Sequence, residues 1–331
     1  MKRAQLLILL LAAIAPIGAA VAQGPVGGPP SLQLPMACEG GTSCVVQHYV
    51  DHDPGPGTLD FRCGHRTYDG HDGLDLRIPA LTPGLAGVAV MAPAAGRIIG
   101  QRDGVTDINV RKLPAGGLNG QDCGNGVLMD LGGGWQVQLC HMKKGSVRVA
   151  RGAMVQPGQV LGLVGESGNA EFPHLHMTVR QDGKAIDPMA YGAAPGRCST
   201  GRSLFTPQAT AALSYRRGEI INAGFASAPP EIDGIDHDEI AKATRQAPLL
   251  AYVVAIALEA GDTQRLQLFD PTGKILAETT AQPLERNSDQ RLLYVGTRPP
   301  AGGWPVGRYS AQYRVMRSGK AVVERRFDLQ F

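Results

Sequence analysis

The sequence predicts a mainly β protein made of two modules, and three observations carry that expectation. Glycine (44) and proline (24) are abundant in the 331 residues while aromatics make up only 5%, a mix that favours turn-rich strands over long helices. Short apolar runs recur between Gly and Pro punctuation, without a convincing helical period. Past residue 205 the texture shifts to longer alternating runs, which read as a small β-sandwich.

Residues 1–22 set Lys2 and Arg3 before an apolar stretch and end on Ala20-Val21-Ala22, the layout of a secretory signal peptide cleaved near Ala22. Pro16 and Gly18 break that stretch, leaving it short for a bilayer span. The expected mature protein is therefore soluble and exported, periplasmic or secreted, with no membrane span. The residue after the junction is Gln23, not the Cys of a lipoprotein.

Residues 23–62 read as an irregular, turn-rich lead containing "DHDPGPG". The first module, residues 63–191, offers the strand candidates "GVAVMAPAAGRIIG", "GVLMDL", "WQVQLCHM", "MVQPGQVLGLVG" and "HLHMTVR". Residues 192–204 read as a linker and 205–331 as the sandwich. In the sandwich Tyr309, Ala311, Tyr313 and Val315, then Val323, Phe327, Leu329 and Phe331, alternate with mostly polar neighbours, as half-buried strands do. "DPTGK" at 270–274 is a turn signal. This module holds a single histidine, His237, and no catalytic grouping, so it reads as a binding or packing module.

The formal net charge is only +3 and no basic cluster appears, which argues against a nucleic-acid partner. No Gly-x-Gly-x-x-Gly follows a strand and opens a helix, and "GESGN" at 165–169 lacks the Lys of a phosphate loop. Six cysteines in an exported chain read as three disulfides. Cys38 and Cys44 are close enough for a small loop, Cys123 and Cys140 flank a hairpin, and Cys63–Cys198 would tie together the ends of the first module. Zinc held by thiolates lacks any C-x-x-C spacing.

The chemistry gathers around histidines. In "FPHLHMTV", residues 172–179, strand alternation sends His174 and His176 to one face and Leu175 to the other. Upstream, "DGHDGLDLRI" separates His71 from Asp75 by three residues, with Gly70 and Gly73 free to bend the backbone. Imidazole and carboxylate are good Zn²⁺ ligands, and two His with one carboxylate leave the fourth tetrahedral position open, as catalytic zinc requires. One histidine of the 174/176 pair completes the set and the other stays free for proton transfer. His141, closing "WQVQLCH", is a further candidate.

These motifs resemble the lysostaphin-type (LytM-like) peptidoglycan metalloendopeptidases: His-x-x-x-Asp at His71/Asp75, a strand-end His at His141, then His-x-His at His174/His176. The framework is similar too, in "VMAPAAGRIIG" and "VQPGQVLGLVGESGNAEFPHLH", and the likeness runs over about residues 63–191 in order. It implies a β-sheet groove of the duplicated hybrid motif type. It implies one Zn²⁺ per chain on His71, Asp75 and His176, with His141 and His174 as the catalytic pair. The implied activity is hydrolysis of peptide bonds in peptidoglycan stem peptides or cross-bridges, a metal-bound water attacking the scissile amide. Met177, Cys140 and Met142 depart from the family's usual residues, touching packing rather than ligand chemistry. An alternative is a non-catalytic LytM-fold regulator that activates a wall amidase; such members lose metal ligands, whereas all five positions are present here.

Other polar residues carry weaker expectations. His65, Asp72 and Glu166 read as solvated loop residues. His48, His52 and Asp53 sit in the lead, where they could cover the groove or occupy the metal in a latent form. Asn125 reads as a groove or turn residue.

Overall fold

Most of the apolar runs of the first half pair into one antiparallel sheet. The computed structural model describes residues 28–38, 44–82, 87–194 and 196–331; the expected signal peptide, residues 1–22, lies outside the described residues. The strands of this half are β1 (Val45–His48), β2 (Leu74–Arg77), β3 (Ala89–Met91), β4 (Gly96–Arg102), β5 (Asn125–Gly132), β6 (Trp135–Met142), β7 (Met154–Val155), β8 (Val160–Leu163), β9 (His174–Gln181) and β10 (Lys184–Ile186). Eight of them form a sheet in the order β1-β2-β9-β6-β5-β4-β7, with β10 also on β9, while β3 pairs with β8. One face of β2 and β9 sends Leu74, Leu76, Leu175 and Met177, all at most 1% exposed, into the core. The other face is left for polar residues.

The lead segment is less irregular than its composition implies. Val45–His48 pairs with β2 as an edge strand, His48 opposite Asp75. Four residues between turn-rich flanks carry too little alternation to announce a strand; pairing with β2 supplies the hydrogen bonds instead. The disulfides are Cys38–Cys44, Cys63–Cys198 and Cys123–Cys140, as the sequence suggests. Cys63–Cys198 spans 135 residues, a loop whose closure entropy alone is worth about 5 kcal/mol.

The second half is a sandwich of β11 (Glu219–Ala226), β12 (Leu249–Leu258), β13 (Thr263–Phe269), β14 (Ile275–Thr280), β15 (Ser288–Thr297), β16 (Arg308–Arg317) and β17 (Lys320–Gln330). Its sheets run β11-β12-β15 and β14-β13-β16-β17. Leu249, Ala251, Val253 and Ala255 of one sheet meet Leu266, Leu268, Tyr309, Ala311, Tyr313 and Val315 of the other in a common core. The alternation seen in the sequence of β16 is thus its inward face. Two short helices accompany the strands. In α1 (Pro207–Ala212) Pro207 opens the helix and Thr206 caps it, its hydroxyl accepting from Ala209 N–H. In α2 (Ile232–Asp236) five residues after Pro229-Pro230 are too few to show a helical period.

The two halves meet through buried charges. Arg77, fully buried, donates from Nη2 to both carboxylate oxygens of Asp236 at 2.9 and 3.1 Å. Arg66 reaches Glu219 at 2.6 Å. Glu166 is not the solvated loop charge its context suggests: it is fully buried and 2.8 Å from Nε2 of His237. A single charge inside "GESGN" gives no sign that its partner lies 71 residues away. That contact pushes the pKa of His237 up to about 9, against the effect of partial burial. The folded value lies above the ordinary value of 6.5, so the protonated pair stabilises the fold fully below about pH 6.5 and ceases to do so as pH rises through about 9. The melting temperature is expected to fall between pH 7 and pH 10 more steeply than in His237→Gln, measured at constant ionic strength. Equal slopes would contradict the pairing.

Candidate metal centre

Register builds the centre. Across β2 and β9, Asp75 stands opposite His176 and Arg77 opposite His174, so these four side chains share the polar face. His71 reaches the same point from the turn before β2, where Gly70 takes φ +73° and His71 N–H bonds Tyr68 C=O. His71 Nε2 and Asp75 Oδ1 are 3.2 Å apart, His71 Nε2 and His176 Nδ1 3.2 Å, and His176 Nδ1 and Asp75 Oδ1 2.9 Å. The three ligand-capable atoms therefore form a near-equilateral triangle.

The far side of each ring determines what that triangle presents. His71 Nδ1–H donates to the backbone oxygen of Tyr49 at 2.7 Å, which leaves a lone pair on Nε2. His176 Nε2–H donates to Thr178 Oγ1 at 2.9 Å, and that hydroxyl donates to Asp72 at 3.3 Å. Asp72 Oδ1 also lies 3.3 Å from Nε2 itself. Asp75 Oδ2 accepts from His48 Nδ1 at 2.9 Å, leaving Oδ1 for the triangle. Two lone pairs and a carboxylate oxygen aimed at one another repel unless a cation lies among them.

Charges in the cluster follow the same logic. Burial alone would raise the Asp75 carboxyl, but His71, His174, His176 and His48 around it hold it well below the usual carboxylate range. Burial works against a charge on His176, yet Asp72 and Asp75 outweigh it and push its pKa up to about 9. The centre calls for one positive charge, a proton on His176 Nδ1 or a metal ion in its place. Asp72, half exposed, is more than a solvated loop residue, because it orients a ring of the triangle.

His141 and His174 stand beside the triangle. Cys140 is in register with His176, so plain alternation would turn His141 to the opposite face. Instead His141 takes φ 61° at an irregularity in the β5–β6 ladder, and such a bulge re-aims a side chain. Its Nδ1–H donates to Ser167 C=O at 2.8 Å, and His174 Nδ1–H donates to Phe172 C=O at 2.8 Å. Each ring thus keeps a lone pair on Nε2. The ring centroids are 4.6 Å apart, and His174 Nε2 is 3.5 Å from Asp75 Oδ1. Burial pushes the pKa of His174 down to about 4 and holds His141 well below its ordinary value, neighbouring imidazoles adding to the effect on His141. Both rings are neutral at pH 7.

A groove of about 260 Å³ runs along the face, lined by Tyr68, Asp72, Asp122, Gln138, Asn169 and Arg180 together with His141 and His176. Tyr68 stacks on His71 with centroids 4.4 Å apart. A larger cavity of about 490 Å³ lies where Arg62 and His65 meet Arg217 and Asp289, and includes none of the five central residues. His65 is exposed, 3.4 Å from Thr58, and His52 pairs with Asp187 at 2.7 Å. Asp53 caps Gly55 N–H. Asn125 is fully buried and does not line the groove; its Nδ2 donates to the backbone oxygens of Val105 and Met142. His48 neither covers the groove nor enters the triangle; it holds Asp75 from behind, a role visible only once β1 is known to lie beside β2.

Gly73 is required by close approach. A Cβ there would lie 2.6 Å from Met177 O and 2.7 Å from His176 Nε2. Gly73→Ala is expected to push the His176 ring out of the triangle and weaken metal affinity by about 10- to 100-fold, the range seen when groups supporting a ligand are lost. Competition with a chelating dye measures this, and unchanged affinity would show that the ring tolerates the shift.

Comparison with known proteins meets the same segment. Residues 69–188 match the model of peptidase family M23. Among solved structures, the catalytic domain of the prophage-encoded M23 protein EnpA from Enterococcus faecalis is 22% identical, with 45% of this chain and 92% of that one covered at a TM-score of 0.30. A putative peptidase M23 from Pseudomonas aeruginosa is 27% identical, with 48% and 52% covered at 0.28. The catalytic domain of the antimicrobial peptidase lysostaphin from Staphylococcus simulans is 21% identical, with 43% and 86% covered at 0.28. The stretch that carries the His–Asp–His triangle is thus the one that matches the model of peptidase family M23.

Proposed function

We propose that the chain is an exported zinc metalloendopeptidase that hydrolyses peptide cross-links of cell-wall peptidoglycan. One observation carries the reading: His71 Nε2, Asp75 Oδ1 and His176 Nδ1 lie 2.9–3.2 Å from one another with their outer atoms engaged elsewhere. Ligands about 2.0–2.1 Å from a tetrahedral Zn²⁺ sit about 3.3 Å apart, so the triangle suits that ion with little movement, and two nitrogens with one oxygen suit its preferences. Bound there, Zn²⁺ would polarise the scissile carbonyl and acidify a water at its open position.

The chain's own residues supply the proton traffic. Hydrolysis breaks the C–N bond, forms a C–O bond to water, and moves a proton from that water to the leaving amine. His141 and His174 are neutral and offer Nε2 lone pairs beside the triangle, so one accepts the proton and returns it to the departing nitrogen. Once protonated, an imidazolium 4.6 Å from the other ring also steadies charge building on the carbonyl oxygen. Tyr68, Gln138 and Arg180 line the groove where an extended peptide would lie. The signal-peptide layout of residues 1–22 supports the export part of the reading.

Digestion of defined cross-linked muropeptides by the zinc-loaded protein, followed by mass spectrometry, tests the reading. The expected products arise from addition of one water across one amide, and a chelator abolishes them. Intact muropeptides after prolonged incubation with zinc-replete protein would overturn it.

A further inference from the structure

The carbonyls that orient His141 and His174 both belong to the loop between β8 and β9, and the second half of the chain holds one end of that loop directly and the other through Arg77 of β2. At one end Glu166, fully buried, meets His237 Nε2 at 2.8 Å, and the next residue, Ser167, supplies the oxygen that accepts from His141 Nδ1–H. At the other end Arg77 lies with its guanidinium carbon 4.4 Å from the centre of the Phe172 ring, and Phe172 supplies the oxygen that accepts from His174 Nδ1–H. Arg77 in turn is held by Asp236 of α2 through both carboxylate oxygens. Asp236 and His237 are consecutive, and Leu81 N–H binds Asp236 C=O at 2.7 Å. His237 Nδ1–H donates to Asp233 C=O at 2.8 Å, so its ring direction is also set.

We propose that Asp236 and His237 are positioning residues for the hydrolytic site: together they clamp the loop whose carbonyls fix the tautomer and direction of His174 and His141. The inference rests on the peptidase reading for its kinetic consequence but not for its geometry. Arg77 and Glu166 are both fully buried, and a buried charge deprived of its counter-charge is strongly destabilising. Without the clamp they are relieved by drawing water into the loop or by swinging outward. Either response moves the Ser167 and Phe172 carbonyls, and a ring that loses its Nδ1–H acceptor also loses the lone pair aimed from Nε2. A displacement of about 1 Å is enough to cost about 100-fold in rate. The sandwich is in this account a working part of the site, although it contributes no group that touches substrate.

The test uses the zinc-loaded protein with both modules intact and ¹⁵N-labelled histidine. His237→Ala is the main variant because its site is partly exposed, His237→Gln restores a donor to Glu166, and Asp236→Asn probes the Arg77 arm. In His237→Ala the His141 Nδ1–H resonance is expected to shift or to exchange faster. The kcat on a muropeptide is expected to fall at least tenfold at 20 °C while KM and zinc content stay within twofold, and His237→Gln is expected to recover most of it. Asp236→Asn is expected to act on the His174 resonance in the same way. A His141 resonance and kcat both unchanged in a destabilised His237→Ala would reduce the contacts to structural support and overturn the proposal. A lower kcat with an unmoved resonance would overturn it as well. Should the parent protein cleave no muropeptide, the peptidase reading fails alone, and the imidazole resonances still decide whether the clamp exists.

Discussion

Asp75→Asn is expected to lower bound zinc from one ion per chain to below about 0.1, and hydrolysis by about a thousandfold or more. Asp75 is the only anion in the triangle, and its carboxyl stays ionised because His71, His174, His176 and His48 surround it. A carboxamide has nearly the same shape but no charge, so two neutral imidazoles are left to hold a dication. One amide oxygen cannot compensate, because ligand charge is what opposes release of the metal to water. The exchange also reverses the contact with His48: where Oδ2 accepted from Nδ1 at 2.9 Å, an amide in the flipped orientation would present N–H to N–H. Folding should persist, since β2 retains Leu74 and Leu76 in the core. Metal analysis of the purified variant beside its circular dichroism separates the two effects. Near-stoichiometric zinc in Asp75→Asn would mean that another group serves as the anionic ligand.

His174→Ala separates proton transfer from metal binding. Its Nε2 lies 3.5 Å from Asp75 Oδ1 but outside the triangle, and its Nδ1 is committed to Phe172. Zinc content should therefore stay near that of the parent. The kcat is expected to fall by about 10²- to 10⁴-fold, the usual contribution of a positioned acid or base, with KM changed little. His176→Ala is the contrasting variant, because it removes a corner of the triangle and takes the metal with it. A His174→Ala protein that lost zinc, or one that kept full turnover, would exchange the roles assigned to the two histidines of β9.

How much of this was legible in the sequence depends on the range of each interaction. Alternation within one strand is local, so "HLHMTVR" could be read as placing His174 and His176 on one face, and the inward face of β16 could be read from Tyr309 to Val315. The short spacing of His71 and Asp75 also has a local meaning, since a turn before a strand brings both to one point. Pairings across the chain leave no such trace. Nothing in "VVQH" says that β1 will lie beside β2 and bring His48 to Asp75, and nothing in "GESGN" says that Glu166 will be buried against His237. His141 is a third kind of case. Its position after Cys140 is visible, but the left-handed backbone that aims it at the site is a property of the folded β5–β6 ladder. The sequence shows a histidine closing the strand "WQVQLCH" and not the backbone turn that aims it.

Anomalous diffraction at the zinc edge, backed by metal analysis of the same protein, decides whether the triangle holds an ion. One zinc per chain is expected, with its anomalous peak among His71 Nε2, Asp75 Oδ1 and His176 Nδ1. Zinc-replete crystals with no peak there, or a peak coordinated by other side chains, would contradict it.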